Sequence, residues 1–270
     1  TYDNGTLHED VEESGSVSWT WSNNVYRNSS ISASFTSCST VDPGFTDATN
    51  DDYSITMSSP AIDAGSDTYA PDTDINGTAR PQGSADDLGC YELAINSWTG
   101  SLSSAWNASS NWSTGSVPGS SDAVYIADVT NDPIMDVSDQ VGALQIASGG
   151  ILTVDNASFT LTASSLELKS GGSIVISAGK LISSGKFDHD GGLTMSGGTL
   201  DINGEYESSP SATESISGGT IEVAGEWDGA NDDAFTPTGG TVTMNGTANQ
   251  NLAQHASSNF YNLTIANSSG

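Results

Sequence analysis

Short runs of alternating apolar and polar residues recur along the second half of the chain. The phrases GGTLDINGEY (197–206), GGTIEVAGEW (218–227) and GGTVTMNGTA (239–248) each begin with two Gly residues and continue as small, apolar, polar, apolar. Because successive side chains of a β-strand point to opposite faces, this pattern predicts a short strand with one buried face. The paired Gly residues predict a corner between strands.

The recurrence has a fixed interval of 21 residues. It relates four columns of positions: Leu200, Ile221 and Val242; Ile202, Val223 and Met244; Gly204, Gly225 and Gly246; and Tyr206, Trp227 and Ala248. The phrases GGILTVDN (149–156) and GGSIVISA (171–178) fit the same template more loosely. A period of this length with no helical half indicates a β-solenoid, whose rungs stack in register. An antiparallel sandwich is the alternative, because turn signals also recur at the spacing of about 8–12 residues that sandwiches show.

The first third of the chain carries different phrases. They are DPGF (42–45), YSI followed by SPAIDAG (53–65), DINGTARP (74–81) and DLGCYE (87–92). In this order and spacing they resemble the closing segment of right-handed parallel β-helix proteins on bacterial and archaeal surfaces. The resemblance implies that residues 1–40 form the last coils of such a helix and that residues 41–93 wrap its end. A wrap of this kind covers the unpaired strand edge and the open apolar core.

A second resemblance begins at residue 97. Residues 97–137 contain Trp98, Trp106 and Trp112, followed by VPGSSDAVYI, and they resemble the Trp-rich opening of repeat modules in large secreted bacterial proteins. NFYNLTIANSSG at the end of the chain resembles the phrase by which such modules continue into another.

Together these patterns predict the fold class and the domains. We predict an all-β protein, a right-handed parallel β-helix or β-solenoid, in two consecutive modules. Residues 1–96 are the last coils and cap of the first module, and residues 97–270 are the second, with rungs of about 21 residues. The chain begins TYDNG without a Met and ends within the repeat pattern, so we expect it to be a piece of a larger protein.

The charge balance excludes several classes of partner. Charged residues are 14% of the chain, with 34 Asp and Glu against 5 Lys and Arg, giving a net charge of −29. Such a chain has almost no cations with which to bind nucleic acid or anionic lipid. It can attract divalent cations, basic partners or uncharged glycans, or the acids can simply keep its surface hydrated. No apolar run of about 18 residues predicts a membrane span.

Two cysteines and nine sequons fit an extracellular setting. Cys38 and Cys90 predict a disulfide, which would close a long loop in an oxidising compartment; two unrelated buried thiols are the alternative. The β-helix family usually has a small residue where Cys90 stands, which suggests a bridge particular to this protein. The sequons only permit glycosylation, at Asn4, Asn28, Asn76, Asn107, Asn111, Asn156, Asn245, Asn262 and Asn267.

Sequence motifs for catalysis are missing. The chain has no nucleophile elbow, phosphate-binding loop or zinc-ligand spacing. Its few Lys, Arg and His residues are scattered over separate rungs, and Arg80, within the capping phrase, is expected to brace an Asp there. We therefore predict that the chain is not an enzyme. The alternative is a polysaccharide lyase or glycoside hydrolase, because such enzymes share the β-helix fold.

The acidic loop DTDING suggests a calcium site. Asp72, Asp74 and Asn76 alternate before a Gly, which is how oxygen ligands converge on one Ca²⁺, and Asp86 or Asp87 could complete the set. The alternative is a polar turn that hydrogen-bonds its own backbone. No cofactor is otherwise required. DHDGG (188–192) and DGANDD (228–233) are weaker candidates, which we interpret as solvated loops protruding from rungs.

Aromatic residues allow a weak hypothesis of glycan stacking. Trp106, Trp112 and Trp227 could stack on sugars. Trp98, which is clustered with Trp106 and Trp112, and Tyr206, which shares a column with Trp227, could do the same. The alternative is that the three clustered Trp residues plug the open end of the solenoid core and that the other two aromatics pack in core or corner positions.

These inferences lead to a function at the cell surface. We predict a secreted, acidic structural or adhesive protein, an adhesin, stalk or filament subunit, built of tandem β-solenoid modules. Its partners would be copies of itself, neighbouring modules of a larger surface protein, or extracellular polysaccharide. Stacking of open solenoid ends or strand addition between subunits would be the route to polymers. The alternative is a polysaccharide-binding or polysaccharide-degrading protein with its active module elsewhere.

Overall fold

The protein is all-β and divides into two compact units. A computed structural model describes residues 2–3, 6–7, 21–22, 35–36, 43–48, 52–57, 59–66, 70–82 and 85–268. These described residues contain no α-helix. Unit 1 spans Thr1–Ala94 and unit 2 spans Ile95–Gly270. No helix within the described ranges is long and apolar enough to cross a membrane.

The described part of unit 1 contains short strands and a turn-rich segment. Its described strands are β1 (Tyr2–Asp3), β2 (Thr6–Leu7), β3 (Trp21–Ser22), β4 (Phe35–Thr36), β5 (Phe45–Asp47) and β6 (Asp52–Ile55). The pairs β1–β2 and β5–β6 are antiparallel, whereas β3 and β4 pair in parallel. The assignment of this unit to the end of a β-helix stays a prediction, since most of residues 1–40 lie outside the described residues.

Unit 2 is a β-solenoid of about seven turns. A 3-10 turn at Ser109–Asn111 lies near its start. Its strands are β7 (Ile95–Trp98), β8 (Ala123–Ile126), β9 (Asp139–Ile146), β10 (Ile151–Val154), β11 (Thr160–Leu168), β12 (Ser173–Ile176), β13 (Lys180–Ser183), β14 (Phe187–His189), β15 (Gly192–Ile202), β16 (Tyr206–Ser208), β17 (Thr213–Val223), β18 (Trp227–Gly229), β19 (Thr241–Met244), β20 (Leu252–Gln254) and β21 (Leu263–Ile265).

All strand ladders of unit 2 are parallel, and they form three faces. The first face contains β10, β12 and the first halves of β15 and β17. The second contains the first halves of β9 and β11, then β13, the second halves of β15 and β17, β19 and β21. The third contains β7, β8, the second halves of β9 and β11, then β14, β16, β18 and β20. Parallel stacking confirms the solenoid and rules out the sandwich for this unit.

Register places like residues above like residues in the core. On the second face, Leu200, Ile221, Val242 and Leu263 are successive partners. On the third face, a column of aliphatic residues passes into aromatic ones at Phe187, Tyr206 and Trp227. The rings of Tyr206 and Trp227 stack with centroids 4.0 Å apart. Each buried side chain of this size contributes about 1.5–3 kcal/mol, so the core is stabilised rung by rung.

The structure corrects two details of the predicted repeat. Trp227 pairs with Leu252, not with Ala248, because residues 245–251 add a loop before β20. The phrases at 149–156 and 171–178 lie on the first face, whereas the later Gly-Gly phrases supply the second. Strands on every face share the same in–out alternation after a glycine corner, so the phrase alone does not identify its face.

Candidate functional site

Asp74 organises the acidic turn of unit 1 by accepting backbone hydrogen bonds. Its Oδ1 accepts from the amides of Asn76 at 2.8 Å and Thr78 at 2.7 Å, and its Oδ2 accepts from the amide of Glu92 at 3.0 Å. Burial raises the pKa of this carboxyl, but the three amides outweigh it and hold the pKa below its ordinary value. The turn therefore has the self-bonded geometry that was the alternative to calcium binding.

The other proposed calcium ligands lie in different environments. Asp72 and Asn76 are exposed, whereas Asp86 is buried. Within the described ranges, no group of three or more His, Cys, Asp or Glu side chains is arranged to hold a metal ion. Calcium binding by these residues stays a prediction.

Arg80 is the centre of a buried polar network in the same segment. Its guanidinium lies 3.7 Å from the Glu92 carboxylate and donates to the carbonyls of Asp87 and Gly89. The Glu92 carboxylate also accepts from the amides of Gln82 and Asp87. Arg80 was expected to brace an Asp, but its carboxylate partner is Glu92, since the Asp87 carboxylate accepts from the backbone amides of Asp63 and Leu93.

The cysteines of the predicted disulfide and the Asn residues of the predicted glycosylation sites differ in their exposure. Cys90 is exposed, and Cys38 lies outside the described residues together with Asn4 and Asn28, so the disulfide stays a prediction. Asn111 is wrong as a glycosylation site because it is buried and its side chain bonds to the backbone of Leu102, Ser103 and Ala105. Asn267 is half-buried, and the exposed sequons are Asn76, Asn107, Asn156, Asn245 and Asn262.

The three clustered Trp residues form one aromatic group in the solenoid core. Trp98, Trp106 and Trp112 are all buried, with Trp106 in edge contact with Trp112 at 4.7 Å. Each indole N–H has an acceptor: Asn131 O, Asp139 Oδ2 and Trp106 O, respectively. Trp227 is likewise buried and donates to Gln254. The glycan-stacking assignment is therefore wrong for Trp106, Trp112 and Trp227, because no ring face is open to a sugar.

A buried polar cluster lies where the third face turns into the first. His189, on β14, occupies the inward column that holds Leu168 in the rung before. Glu214, on β17, occupies the column of Leu193. The His189 Nε2 and Glu214 Oε1 atoms are 2.8 Å apart, and both side chains have 0% exposure.

Three further polar side chains complete this cluster. Tyr206, Ser208 and Asp232 are all buried. Tyr206 Oη, Ser208 Oγ, Asp232 Oδ2, Glu214 Oε2 and His189 Nδ1 have no hydrogen-bond partner. Five such atoms in one core are unusual, because buried polar atoms are nearly always bonded. We call these five residues the core polar cluster.

The sequence had suggested a different place for two of its members. The sequence predicts that DHDGG and DGANDD are protruding loops, but His189 and Asp232 are buried in the core. The strand register shows why His189 points inward. FDH (187–189) aligns with LEL (166–168), so His189 occupies the position of the inward-facing Leu168. Glu214 lies in ESSPSATES, a segment between the repeated phrases, and stands above Leu193 in the same way.

Acidic residues follow one outward column of the third face. Glu167, Asp188, Glu207 and Asp228 are successive register partners. Lys186 pairs with Glu207, and Lys169 lies 3.1 Å from Glu167. Burial, opposed by Lys186, raises the pKa of Asp188. The column is a solvated acidic surface partly neutralised by lysines.

Comparison with known proteins identifies a family for unit 2. No curated protein and no solved structure matches the chain. A family model described as "Domain of unknown function (DUF8693)" matches residues 97–263, which is more than half of the 270 residues. The chain therefore belongs to the DUF8693 family of domains, whose function is not known.

Proposed function

We propose that this protein is a non-enzymatic structural or adhesive component of a cell surface, and that it associates with other copies of itself through the last rung of unit 2. The resemblances of its two modules to surface β-helix caps and to secreted repeat modules support this proposal. So does the architecture of unit 2, because in a solenoid each repeat packs on its neighbours, which builds an elongated scaffold.

The last described rung of unit 2 exposes apolar side chains, and this exposure is the main support for the proposal. Leu263 and Ile265 continue the buried columns of Val242 and Met244, yet they are 42% and 65% exposed. Among the described strands, β21 pairs with β19, and no described strand pairs with its other edge. An apolar strand edge of this kind is a template for pairing with another strand.

Charge distribution favours a second copy as the partner. Residues 234–270 contain no Asp, Glu, Lys or Arg, although the whole chain has a net charge of −29. Two acidic molecules repel each other at most surfaces, but contact through this uncharged end buries no like charges. Edge-to-edge pairing of two β21 strands satisfies the backbone groups and covers the exposed apolar residues.

The test compares the wild-type chain with a variant of its terminal edge. We expect light scattering to show a mass that rises with concentration for the wild type and stays at one chain for Leu263→Lys/Ile265→Lys. Ile75→Lys is the matched control, because Ile75 is equally exposed, at 68%, but lies in unit 1. A wild-type chain that stays monomeric at high concentration, with and without calcium, would overturn the self-association.

A second assay addresses the non-enzymatic part of the proposal. Incubation with a panel of acidic and neutral polysaccharides should release no reducing ends. A glycan array on the same chain distinguishes adhesion to a sugar from a purely structural role. Turnover of any polysaccharide would overturn the proposal in favour of a lyase or hydrolase.

A further inference from the structure

The tetrapeptide Asp-Ile-Asn-Gly occurs twice in the chain, in two different structural settings. Residues 74–77 form the tip of a short turn in unit 1, whereas residues 201–204 lead from β15 into a corner of the solenoid. The two Ile residues show the contrast, since Ile75 is 68% exposed and Ile202 is 0% exposed. Because the local sequence is the same, a difference in reactivity between the two copies comes mainly from the fold.

An Asn-Gly step can lose its side-chain amide without an enzyme, and Asn is among the thermolabile residues. The backbone nitrogen of the Gly gives up its proton and attacks the Asn Cγ atom, so that a C–N bond forms and the side-chain nitrogen leaves as ammonia. Water then opens the cyclic imide at either carbonyl and gives Asp or isoaspartate. Glycine favours ring closure because it has no Cβ and its backbone adopts many conformations. The reaction therefore needs a Gly backbone that is free to move.

Gly77, in the turn of unit 1, has this freedom. It is exposed, its φ is +86°, and no described atom lies within 4 Å of the position that a Cβ would take. Asn76 is exposed as well. The Gly77 amide donates to the carbonyl of Asp74, within the same turn, at 3.1 Å. A local change in this turn is therefore enough to bring the Gly77 nitrogen onto the Asn76 Cγ atom.

Gly204, in the second copy of the tetrapeptide, is held between two rungs of the solenoid. Its amide donates to the carbonyl of Gly185 in the preceding rung, and its carbonyl accepts from the amide of Gly225 in the next rung. A Cβ at Gly204 would be 2.5 Å from the backbone carbonyl carbon of Gly185. Ring closure at Asn203 would break these hydrogen bonds between rungs, which paired backbone groups resist.

Gly246, in the Asn-Gly step that follows β19, is also confined. It is buried, its amide donates to Gln250 Oε1 at 3.0 Å, and a Cβ there would be 2.3 Å from the carbonyl oxygen of Ala224. A further step, Asn4–Gly5, lies outside the described residues. Of the three Asn-Gly steps that the structure describes, Asn76–Gly77 is therefore the one whose glycine is exposed and not stacked on a neighbouring rung.

We propose that Asn76 is a site of spontaneous deamidation, at which the turn of unit 1 is converted with time to an Asp or isoaspartate form while the same tetrapeptide in the solenoid stays intact. Conversion adds a negative charge to a turn that already holds Asp72 and Asp74. Isoaspartate also routes the main chain through the side chain, which displaces the Thr78 amide from the Asp74 carboxylate, its acceptor at 2.7 Å. The turn therefore loosens as the protein ages, and residue 76 loses the amide that N-glycosylation requires.

The decisive experiment follows deamidation of the full chain, produced without glycans, at pH 8 and 37 °C. Mass spectrometry of its peptides gives the rate at each Asn, in buffer and in concentrated guanidinium chloride. In buffer we expect Asn76 to react at least about tenfold faster than Asn203, which corresponds to about 1.4 kcal/mol of activation free energy. In denaturant the two rates should converge, because the fold no longer distinguishes two copies of one tetrapeptide. Equal rates in buffer, or the same ratio in denaturant, would overturn the proposal.

A matched variant tests the effect of deamidation on the turn. Asn76→Gln keeps an exposed side-chain amide, but its longer side chain must close a larger ring, which is slower. After incubation, calorimetry should show a lower unfolding temperature of unit 1 than in fresh protein for the wild type, and no such decrease for Asn76→Gln. A decrease in both proteins, or in neither, would overturn the proposed loosening of the turn.

Discussion

Gly225 lies against the backbone of the preceding rung at a corner of the solenoid. A Cβ atom at this position would be 2.2 Å from the carbonyl oxygen of Gly204. Gly225 does not have a positive φ, so its requirement for glycine is steric. Successive rungs lie about 4.8 Å apart, and a side chain here would force them apart.

We expect Gly225→Ala to destabilise the solenoid by about 1–3 kcal/mol, the range for overpacked sites. Gly119→Ala is the control, because Gly119 is exposed and its Cβ would be 3.8 Å from the nearest atom, in Asp122. The control should change stability by less than about 0.5 kcal/mol. Urea unfolding followed by Trp fluorescence measures both, and equal effects of the two variants would contradict a steric role for this corner.

At the scale of strands, the amino-acid pattern predicts which segments form strands better than it predicts where each strand lies in the solenoid. The columns through Leu200 and Ile202 were predictable because alternation and a constant interval define them. The 25-residue step from Trp227 to Leu252 was not, since a loop that leaves the rung and returns has no periodic signature. His189 was missed because a polar residue flanked by Asp is ordinarily solvated, and only register with Leu168 shows that it points inward.

The candidate sites were predictable only where local chemistry determines them. Alternating Asp and Asn before a Gly correctly marked a tight polar turn around Asp74, but the same letters are compatible with a cation or with backbone amides as the partner. The core polar cluster depends on residues brought together from three rungs. Such non-local contacts depend on the register between strands. The spacing of residues in the sequence gives this register only approximately.

The Asp74 turn gives a prediction at the scale of this segment. Asp74→Ala leaves three backbone amides without this acceptor. The amide of Glu92 is buried, and an unsatisfied buried donor costs about 1–3 kcal/mol, so calorimetry should show a lower unfolding temperature for unit 1. Because the Asp74 pKa is lowered, its contribution is present above the ordinary value of 3.8 and is lost as the pH falls further.

The control for this segment also tests calcium. Asp72→Ala removes an exposed carboxylate and should have little effect on the unfolding temperature. EDTA should leave the wild-type midpoint unchanged if backbone amides alone satisfy Asp74. A midpoint that falls with EDTA in the wild type, but not in Asp72→Ala, would instead establish a structural cation held by this turn.

The charge of the whole molecule is distributed unevenly. All 34 acids and all 5 bases lie before residue 234. On the third face, acids from successive strands align in register, as at Glu207 and Asp228. Like charges on neighbouring strands destabilise a sheet, so the solenoid folds against a repulsion that its uncharged last rungs do not share.

This imbalance predicts that salt stabilises the protein. Raising NaCl from about 0.1 M to about 1 M shortens the Debye length from about 10 Å to about 3 Å. Repulsion among 34 acids should be screened more than attraction to 5 bases is lost, so the midpoint of thermal unfolding should rise, by about 2–4 °C for each kcal/mol gained.

Glu205→Gln/Glu226→Gln removes two acids that precede β16 and β18, and it should start from a higher midpoint and respond less to salt. A midpoint that falls as salt rises would mean that the lysine pairs, such as Lys180 with Asp201 at 2.6 Å, outweigh the repulsion.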